Sequence, residues 1–190
     1  MKIRQLKNNA TNKKQTGLTL VELLMGVAIV GIIASVAVPS FSSMSAAQKV
    51  AGVAQKIQQD LLYARSEAVK QNTNIHLSFS TGTNWCYGFN DSGSTCNCNV
   101  SGTPTSCKIS STEKSTTADA FTNISLSTAG SLNLNGANFN PTRGSVERNN
   151  TALNDGAITV TRGSNSATIK INTLGRSSIC SNSLTQFASC

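Results

Sequence analysis

The chain has 190 residues, of which 38% are hydrophobic, 5% aromatic and 13% charged, and its formal net charge is +8. This length suits one domain with a modest core, and the few aromatic residues beside abundant Ser, Thr, Asn and Gly argue against a large enzyme core. Five positive charges and no acid precede Gly17, which leaves 11 basic and 8 acidic residues, a net charge of +3, in the remainder. The high isoelectric point therefore reports the N-terminal segment and is poor support for a nucleic-acid partner.

The first predicted element is an apolar segment. Residues 18–38 form an almost wholly apolar run, which as a helix would span roughly 31 Å, about the thickness of a bilayer core. Glu22 lies near its start, although a carboxylate in the middle of a membrane helix costs about 2.5–3.5 kcal/mol. The run could be a plain membrane anchor, a secretory signal cut near the small residues 35–37, or a signal in which the acid has a purpose. The long basic region, the long apolar run and the acid disfavour the secretory signal.

The sequence GLTLVE at residues 17–22 resembles the processing signal of type IV pilins and type II secretion pseudopilins. In those families a basic leader ends in Gly, cleavage follows this Gly, and the new N-terminus is methylated. The resemblance implies that Gly17 ends the leader and that Leu18, where Phe is more usual, becomes the methylated N-terminus. Glu22 is then the fifth mature residue, whose carboxylate pairs with the N-terminal amine of a neighbouring subunit. Pro39 falls at mature position 22, where these families commonly have a proline.

The same resemblance implies the partners and the location of the protein. A prepilin peptidase and methyltransferase would process the chain, and other major and minor pilins would surround it in a filament. Before assembly the apolar helix would cross the inner membrane, in contact with its lipid, with the head in the periplasm. After assembly the subunit would lie in a pilus on the cell surface.

We expect four segments: a leader at residues 1–17, a transmembrane and assembly helix at 18–39, an amphipathic helix at 40–73 and a β-rich head at 74–190. Pro39 should kink the helix, because proline lacks the N–H that would bond the carbonyl one turn earlier. Both helical segments are expected to form one rod of roughly 50 residues, which ends at residues 72–74. Beyond Pro39, apolar residues recur at three- and four-residue steps, as in a helix packed on a head. This face comprises Val50, Val53, Ala54, Ile57, Leu61, Ala64 and Ala68.

After residue 74 the hydrophobic period changes to two, which indicates strands. Residues 75–79 form the first predicted strand, with His76 facing outward, and residues 84–89 form the second. Residues 110–120 are rich in Ser and Thr without periodicity, so we expect an exposed loop there.

The last third of the chain contains a predicted hairpin. Weak strands are expected at residues 124–127 and 131–135. Residues 157–161 and 167–171 alternate well on either side of a short turn, which is typical of a β-hairpin. Its inward side chains would be Ile158, Val160, Ile169 and Ile171.

All six cysteines follow the apolar run, and an even count behind an export-like segment predicts three disulfides in an oxidising compartment. A zinc site is disfavoured, because residues 96–98 form C-x-C and the chain's one histidine, His76, is distant. Cys180 and Cys190 are the favoured pair. A disulfide that closes so short a loop adds about 2–3 kcal/mol to the free energy of unfolding.

The other four cysteines leave the pairing open. Neighbours in a C-x-C sequence rarely pair with each other, since their side chains diverge on an extended chain. This leaves Cys86–Cys96 with Cys98–Cys107, or the alternatives that cross between these pairs, and the sequence does not choose.

A narrower resemblance appears in the head. The sequence FNPTRG at residues 139–144, the predicted hairpin and the Gly175-Arg176 pair that follows it look like the GspH/FimT branch of minor pilins and pseudopilins. That branch implies an α+β, pilin-like fold with a long N-terminal helix packed on a small antiparallel β-sheet or sandwich head. The cysteine loop at residues 86–107 matches no shared motif of the branch.

The sequence contains no recognisable catalytic arrangement. Its acids are few and scattered, no nucleophile is paired with a base, and neither a phosphate-binding glycine loop nor metal-ligand spacing occurs. We therefore expect no enzyme activity, no cofactor and no metal, and His76 lacks the partner cluster that a metal ligand needs.

Three functions follow from these features. The first is a minor pilin that enters a type IV pilus or primes its assembly, and the second is a pseudopilin of a type II secretion system. The third is a minor pilin that binds DNA for uptake. Some FimT-type members are thought to use a Gly-Arg-x-Arg motif, but Ser178 stands here in place of the second arginine. The candidate DNA contacts are Arg143, Arg148, Arg162, Lys170 and Arg176.

Overall fold

The computed structural model describes residues 17–100, 102, 105–130, 135–149, 151–153 and 156–190, without the side chains of residues 38–40, 129 and 130. The chain divides into two compact units, Met1–Phe41 and Ser42–Cys190. In chain order the elements are α1 (Leu20–Gln71), β1 (Ile75–Ser80), β2 (Cys86–Asn90), β3 (Lys108–Ile109), β4 (Thr112–Glu113), β5 (Ser115–Thr117), a 3₁₀ turn (Ala118–Ala120), β6 (Ser125–Gly130), β7 (Asn138–Phe139), β8 (Val146–Arg148), β9 (Thr151–Ala152), β10 (Gly156–Arg162), β11 (Asn165–Ile171) and β12 (Ser177–Cys180).

Helix α1 runs without interruption for 52 residues, which confirms the predicted single helix. It ends where Asn72 takes a left-handed conformation, with φ of 50°. The N–H groups of Asn72 and Thr73 donate to the carbonyls of Val69 and Ala68 at 3.4 and 3.2 Å, the two bonds of a Schellman motif. The stop predicted at residues 72–74 is thereby explained. The predicted kink at Pro39 stays a prediction.

The first unit exposes its apolar side chains. Every large hydrophobic side chain between Leu18 and Phe41 for which burial is described is 58–75% exposed. The most apolar 18-residue window of α1 has a mean hydropathy of 2.5 and no buried residue. Within the described ranges, α1 is the one helix long and apolar enough to cross a membrane.

The second unit has a continuous hydrophobic core, to which α1 and both large sheets contribute. All seven apolar residues predicted on the inner face of α1 are at most 2% exposed, which confirms the predicted face. The opposite sheet residues include Ile75, Leu77, Phe139 and Val160. Burial of this helix face therefore holds the second half of α1 on the head.

Within the described residues the strands form two large sheets and one small one. The first has the order β5-β2-β1-β7-β8-β9, the second β12-β11-β10-β6, and β3 pairs with β4. The predicted hairpin is confirmed as β10 and β11, with Ile158 opposite Ile169. Its four predicted inward residues, Ile158, Val160, Ile169 and Ile171, are each at most 1% exposed.

The predicted loop at residues 110–120 is wrong, because this segment contains β4, β5 and a 3₁₀ turn. The strand β5 pairs with β2 through backbone groups, with Thr117 opposite Cys86, and its side chains are half-buried. Backbone pairing at a sheet edge needs no alternation of apolar side chains, so periodicity could not reveal it. The strand predicted at residues 131–135 lies, but for Asn135, outside the described residues.

The cysteine loop covers the outer face of β2. Tyr87 and Phe89 point into the core, whereas Cys86 on the other face belongs to a separate buried cluster with Cys98 and Cys107. Disulfides join Cys86 to Cys98, Cys96 to Cys107, and Cys180 to Cys190. The first two are a crossed alternative to the sequential pairing of neighbours, and the third is the pair that the sequence favoured.

Candidate functional site

The start of α1 holds the residues predicted to direct processing and assembly. Gly17 and Leu18 precede the helix and are exposed, and Leu18 is 74% exposed. Thr19 caps the helix, because its side-chain oxygen accepts the N–H of Glu22 at 3.2 Å and its carbonyl accepts the N–H of Leu23 at 3.1 Å. Cleavage after Gly17 would therefore leave the new amine two residues ahead of the first helical residue.

Glu22 occupies the third position of α1, in its first turn. Together with Thr19 it forms the T-x-x-E spacing of a capping box, of which the threonine half is formed here. A carboxylate at this end interacts favourably with the helix dipole, by about 0.3–1 kcal/mol at an exposed position. The acid thus suits the helix start of a single chain, a role that the sequence analysis missed although the spacing was visible.

The segment FNPTRG at residues 139–144 and the Gly175-Arg176 pair meet at one point. We call this point the glycine junction and define it as Arg65, Gly144 and Gly175. The Arg65 Nε donates to the Gly144 carbonyl at 2.9 Å. Gly175 has φ of +73°, and a Cβ placed on it would overlap the Gly144 carbonyl oxygen. Nearby, the Val146 N–H donates to the Thr173 carbonyl at 3.1 Å. The junction therefore joins α1 to both motif turns, and both glycines have a structural explanation.

The five candidate DNA contacts do not form one surface of free cations. Arg143 and Arg176 are exposed on the two turns that meet at the glycine junction. Arg148 donates to the Asn135 carbonyl at 2.9 Å, and the Lys170 Nζ donates to the Cys190 carbonyl at 3.2 Å. Arg162 is half-buried at the end of β10.

The titratable groups of the second unit whose pKa is shifted lie in packing contacts. Burial raises the pKa of Tyr87, whose hydroxyl donates to Asp60 Oδ2 at 2.7 Å. Hydrogen bonds from Gln71 and then Lys70 lower the pKa of Glu67. Burial also lowers the pKa of His76, which is half-buried in β1. Across the described part of the chain, no three His, Cys, Asp or Glu residues are grouped as a metal site would need.

Two family models match the chain. The model for the prokaryotic N-terminal methylation motif matches residues 12–38, and the model for type II transport protein GspH matches residues 53–175. The second match covers more than half of the chain. The chain belongs to the GspH family. No curated protein and no solved structure matches it significantly.

The two matches divide this GspH chain as its structure does. The methylation motif contains Gly17, Leu18 and Glu22, and the GspH match begins within the second half of α1 and ends at Gly175 of the glycine junction. The chain is a pilin-type subunit, which a prepilin peptidase processes and which assembles with other pilins, and its apolar helix and methylation motif indicate membrane anchoring. The Cys180–Cys190 ring lies beyond the GspH match.

Proposed function

We propose that this chain is a minor pilin of a type IV pilus, that Glu22 sets its place in the filament, and that its role is structural rather than catalytic. The observation that carries the proposal is the first unit: Glu22 lies in the first turn of a helix whose apolar side chains are exposed over residues 20–37. A helix of this kind needs surroundings that cover it, either lipid or the helices of other subunits.

Glu22 supplies the specific contact in this proposal. An unpaired carboxylate in an apolar filament core would be costly, and so would an unpaired amine. If the amine of Leu18 from one subunit meets Glu22 of another, the two charges compensate each other in the same place. A pairing that tolerates little displacement also fixes the axial position of each subunit relative to the next.

The test replaces Glu22 by Leu or Ala and measures the amount of the chain in sheared filaments relative to the amount in membranes. We expect at least a tenfold loss from filaments with unchanged membrane insertion, because the apolar helix stays intact. Leu23→Ala is the matched control, since Leu23 is the next residue and, like Glu22, is exposed. Normal incorporation of both Glu22 variants would refute the assembly role.

Mass spectrometry of the chain isolated from membranes tests the processing step. We expect an N-terminus at Leu18 that carries a methyl group. An N-terminus at Val38 would identify a secreted protein without an anchor and would contradict the proposal.

Surface labelling separates the pilus from a type II secretion pseudopilus. In a pilus the heads lie outside the cell, so a membrane-impermeant reagent should label a cysteine introduced at exposed Ser178 on intact cells. We place the head in the periplasm before assembly. Labelling that requires a permeabilised outer membrane even when filaments are present would favour the pseudopilus.

DNA binding is a second candidate, and the glycine junction favours it because two exposed arginines, Arg143 and Arg176, lie on adjoining turns there. Two such cations can contact neighbouring phosphates, and each phosphate contact changes the slope of log affinity against log salt by about 1. In a salt series of gel shifts, Arg143→Gln with Arg176→Gln should reduce this slope by about 2. Lys170→Gln removes a positive charge at another position and should reduce the slope by less than the double arginine variant does. Absence of salt-sensitive binding at low ionic strength would exclude this candidate.

A further inference from the structure

A cavity lies at the end of the four-stranded sheet, and neither residues 139–144 nor the Gly175-Arg176 pair lines it. Its volume is about 400 Å³, and three segments line it: residues 83–84 between β1 and β2, residues 123–125 at the start of β6, and residues 161–163 at the end of β10. All these residues are described, and none of them carries a carboxylate. The cavity has one charged lining residue, Arg162.

Arg162 is the unusual residue of this cavity. Its Nη1 is buried, yet it has no hydrogen-bond partner among the described residues. A guanidinium N–H is an obligatory donor that keeps its charge at any pH at which the protein is folded, so burial without an acceptor is unfavourable. The side chain therefore lacks one acceptor of negative or partial negative charge.

The other groups around the cavity fit the same type of ligand. Thr83, Asn84 and Asn123 bring neutral hydroxyl and amide groups, which can donate to an oxygen atom without repelling an anion. The planar guanidinium fork matches two oxygens of one carboxylate or phosphate group. The cavity is open to solvent, and its volume of about 400 Å³ is ample for one such group together with a substituent.

The walls of the cavity are held by the fold. Gly82 and Leu126 exchange two backbone hydrogen bonds of 2.8 and 3.0 Å, which tie the segment before residue 83 to β6. The indole N–H of Trp85 donates to the Ile124 carbonyl at 3.0 Å, and Trp85 is fully buried. Thr161 is paired with Ser125 across β10 and β6. A ligand would therefore meet a site whose backbone is already in place.

We propose that Arg162 and the cavity around it bind a single small oxyanion, a carboxylate or a phosphate group. The Arg162 guanidinium donates to the anion, a small rotation of the side chain bringing the buried Nη1 to one of its oxygens, and the neutral hydroxyl and amide groups of the cavity donate to the others. This site is distinct from the proposed DNA contacts at the glycine junction and does not depend on the proposed role in a filament.

The test is an NMR titration of the full mature chain in zwitterionic detergent micelles, at constant ionic strength maintained with sodium chloride. Sodium phosphate and sodium acetate are the two probes. We expect at least one of them to shift the Gly163 amide and the Trp85 indole signals in a saturable manner. Saturation by phosphate alone identifies a tetrahedral anion, and saturation by acetate alone identifies a carboxylate.

Two variants decide whether Arg162 is responsible. Arg162→Gln should weaken binding at least tenfold, and Arg162→Lys should weaken it less, since the charge stays while the fork is lost. Lys170→Gln is the matched control, because it removes the same charge from the neighbouring strand β11 and should leave binding unchanged. Signals that do not saturate with either probe, or that saturate equally in Arg162→Gln, would overturn the proposal.

Discussion

Gly175 is a residue at which the backbone and its surroundings both require glycine. Its φ of +73° disfavours any residue with a side chain, and the first atom of that side chain would overlap the backbone of Gly144. Backbone atoms at a point where two turns meet cannot move aside as the end of a long side chain can. Packing therefore explains the glycine of the Gly175-Arg176 pair, whatever Arg176 binds.

Substitution of Gly175 by Ala should lower the free energy of unfolding by more than about 3 kcal/mol. The left-handed conformation accounts for about 1–2 kcal/mol of this, and the overlap with Gly144 accounts for the rest. Gly163→Ala is the matched control, because Gly163 has φ of +58° with open space around its Cβ position, so only the conformational part applies. Urea denaturation of both variants in micelles measures the difference. Equal losses would show that the glycine junction is not tightly packed.

Because Tyr87 is buried, the free energy of unfolding should depend on pH in the alkaline range. Burial raises the pKa of Tyr87 above its ordinary value of about 10, and Tyr87 is 1% exposed. Above pH 10 the unfolded chain therefore binds fewer protons at this residue than the folded chain does. The free energy of unfolding should fall as the pH rises beyond 10, whereas below pH 10 the contribution of Tyr87 is constant.

Tyr87→Phe should reduce this alkaline loss of stability, while costing about 1–2 kcal/mol at pH 7 because the bond to Asp60 is lost. The control is Tyr63→Phe, since Tyr63 is the chain's other tyrosine and is 39% exposed. Urea denaturation between pH 8 and 11 compares the three chains. If wild type and Tyr87→Phe lose stability in parallel above pH 10, the buried phenol is not the cause.

At the scale of elements, the apolar face of the second half of helix α1 holds the helix on the β-sheets. Ile57 is fully buried in the core, whereas Leu62 on the same helix is 45% exposed. Ile57→Ala should lower the free energy of unfolding by about 2–4 kcal/mol, because it removes buried methyl groups and leaves a cavity. Leu62→Ala should change it by about 0.5 kcal/mol or less. Chemical denaturation followed by circular dichroism distinguishes these outcomes, and similar losses in both variants would contradict the assigned face.

The elements that the sequence predicted well are those in which one face is buried over several turns or residues. Ile57 and its neighbours repeat at helical steps, and Ile158 and Ile169 alternate, because each lies against the same core. Residues 115–117 have no such pattern, since β5 is held by backbone bonds to β2 and its side chains stay half-buried. Periodicity reports burial, so it cannot predict strands that burial does not pattern.

The disulfide pairing depends on contacts that are distant in sequence. The Cys96 N–H donates to Ser78 Oγ at 2.9 Å, which places the cysteine loop against β1. Gly88 permits Cys107 to lie directly on β2, because a Cβ at Gly88 would overlap the Cys107 side chain. This position brings Cys107 to Cys96 and leaves Cys98 for Cys86. The spacing of four cysteines contains none of this information.

For the molecule as a whole, the methylation motif was predictable from the sequence and the surroundings of the basic residues were not. Gly17, Leu18 and Glu22 lie within six consecutive residues, so a local pattern suffices to predict the motif. The four arginines and one lysine of the last third have different surroundings: two arginines lie on adjoining turns, Arg148 and Lys170 donate to backbone carbonyls, and Arg162 lines a cavity. Arg65, which joins the helix to both motif turns, carried no signal in the sequence because its partner is a backbone carbonyl 79 residues away.

The division into two units predicts that the second unit folds without the first. Every described buried hydrophobic residue lies at or beyond Val50, and the partly buried Ala47 is the first residue packed against this core. A chain that begins at Ser42 should therefore unfold at the same urea midpoint as the mature chain, when both are measured in the same detergent.

A chain that begins at Gln55 is the matched control for this truncation. It lacks Val50, Ala51, Val53 and Ala54, each at most 2% exposed, and burial of these side chains contributes through the apolar area removed from water. Its free energy of unfolding should be lower by at least about 3 kcal/mol. If the chain beginning at Ser42 is as unstable as the one beginning at Gln55, residues 18–41 stabilise the second unit and the two units do not fold independently. If only the shorter chain is destabilised, the apolar first unit contributes nothing to the stability of the second unit, and its sequence can be explained by contacts with the membrane and with other subunits alone.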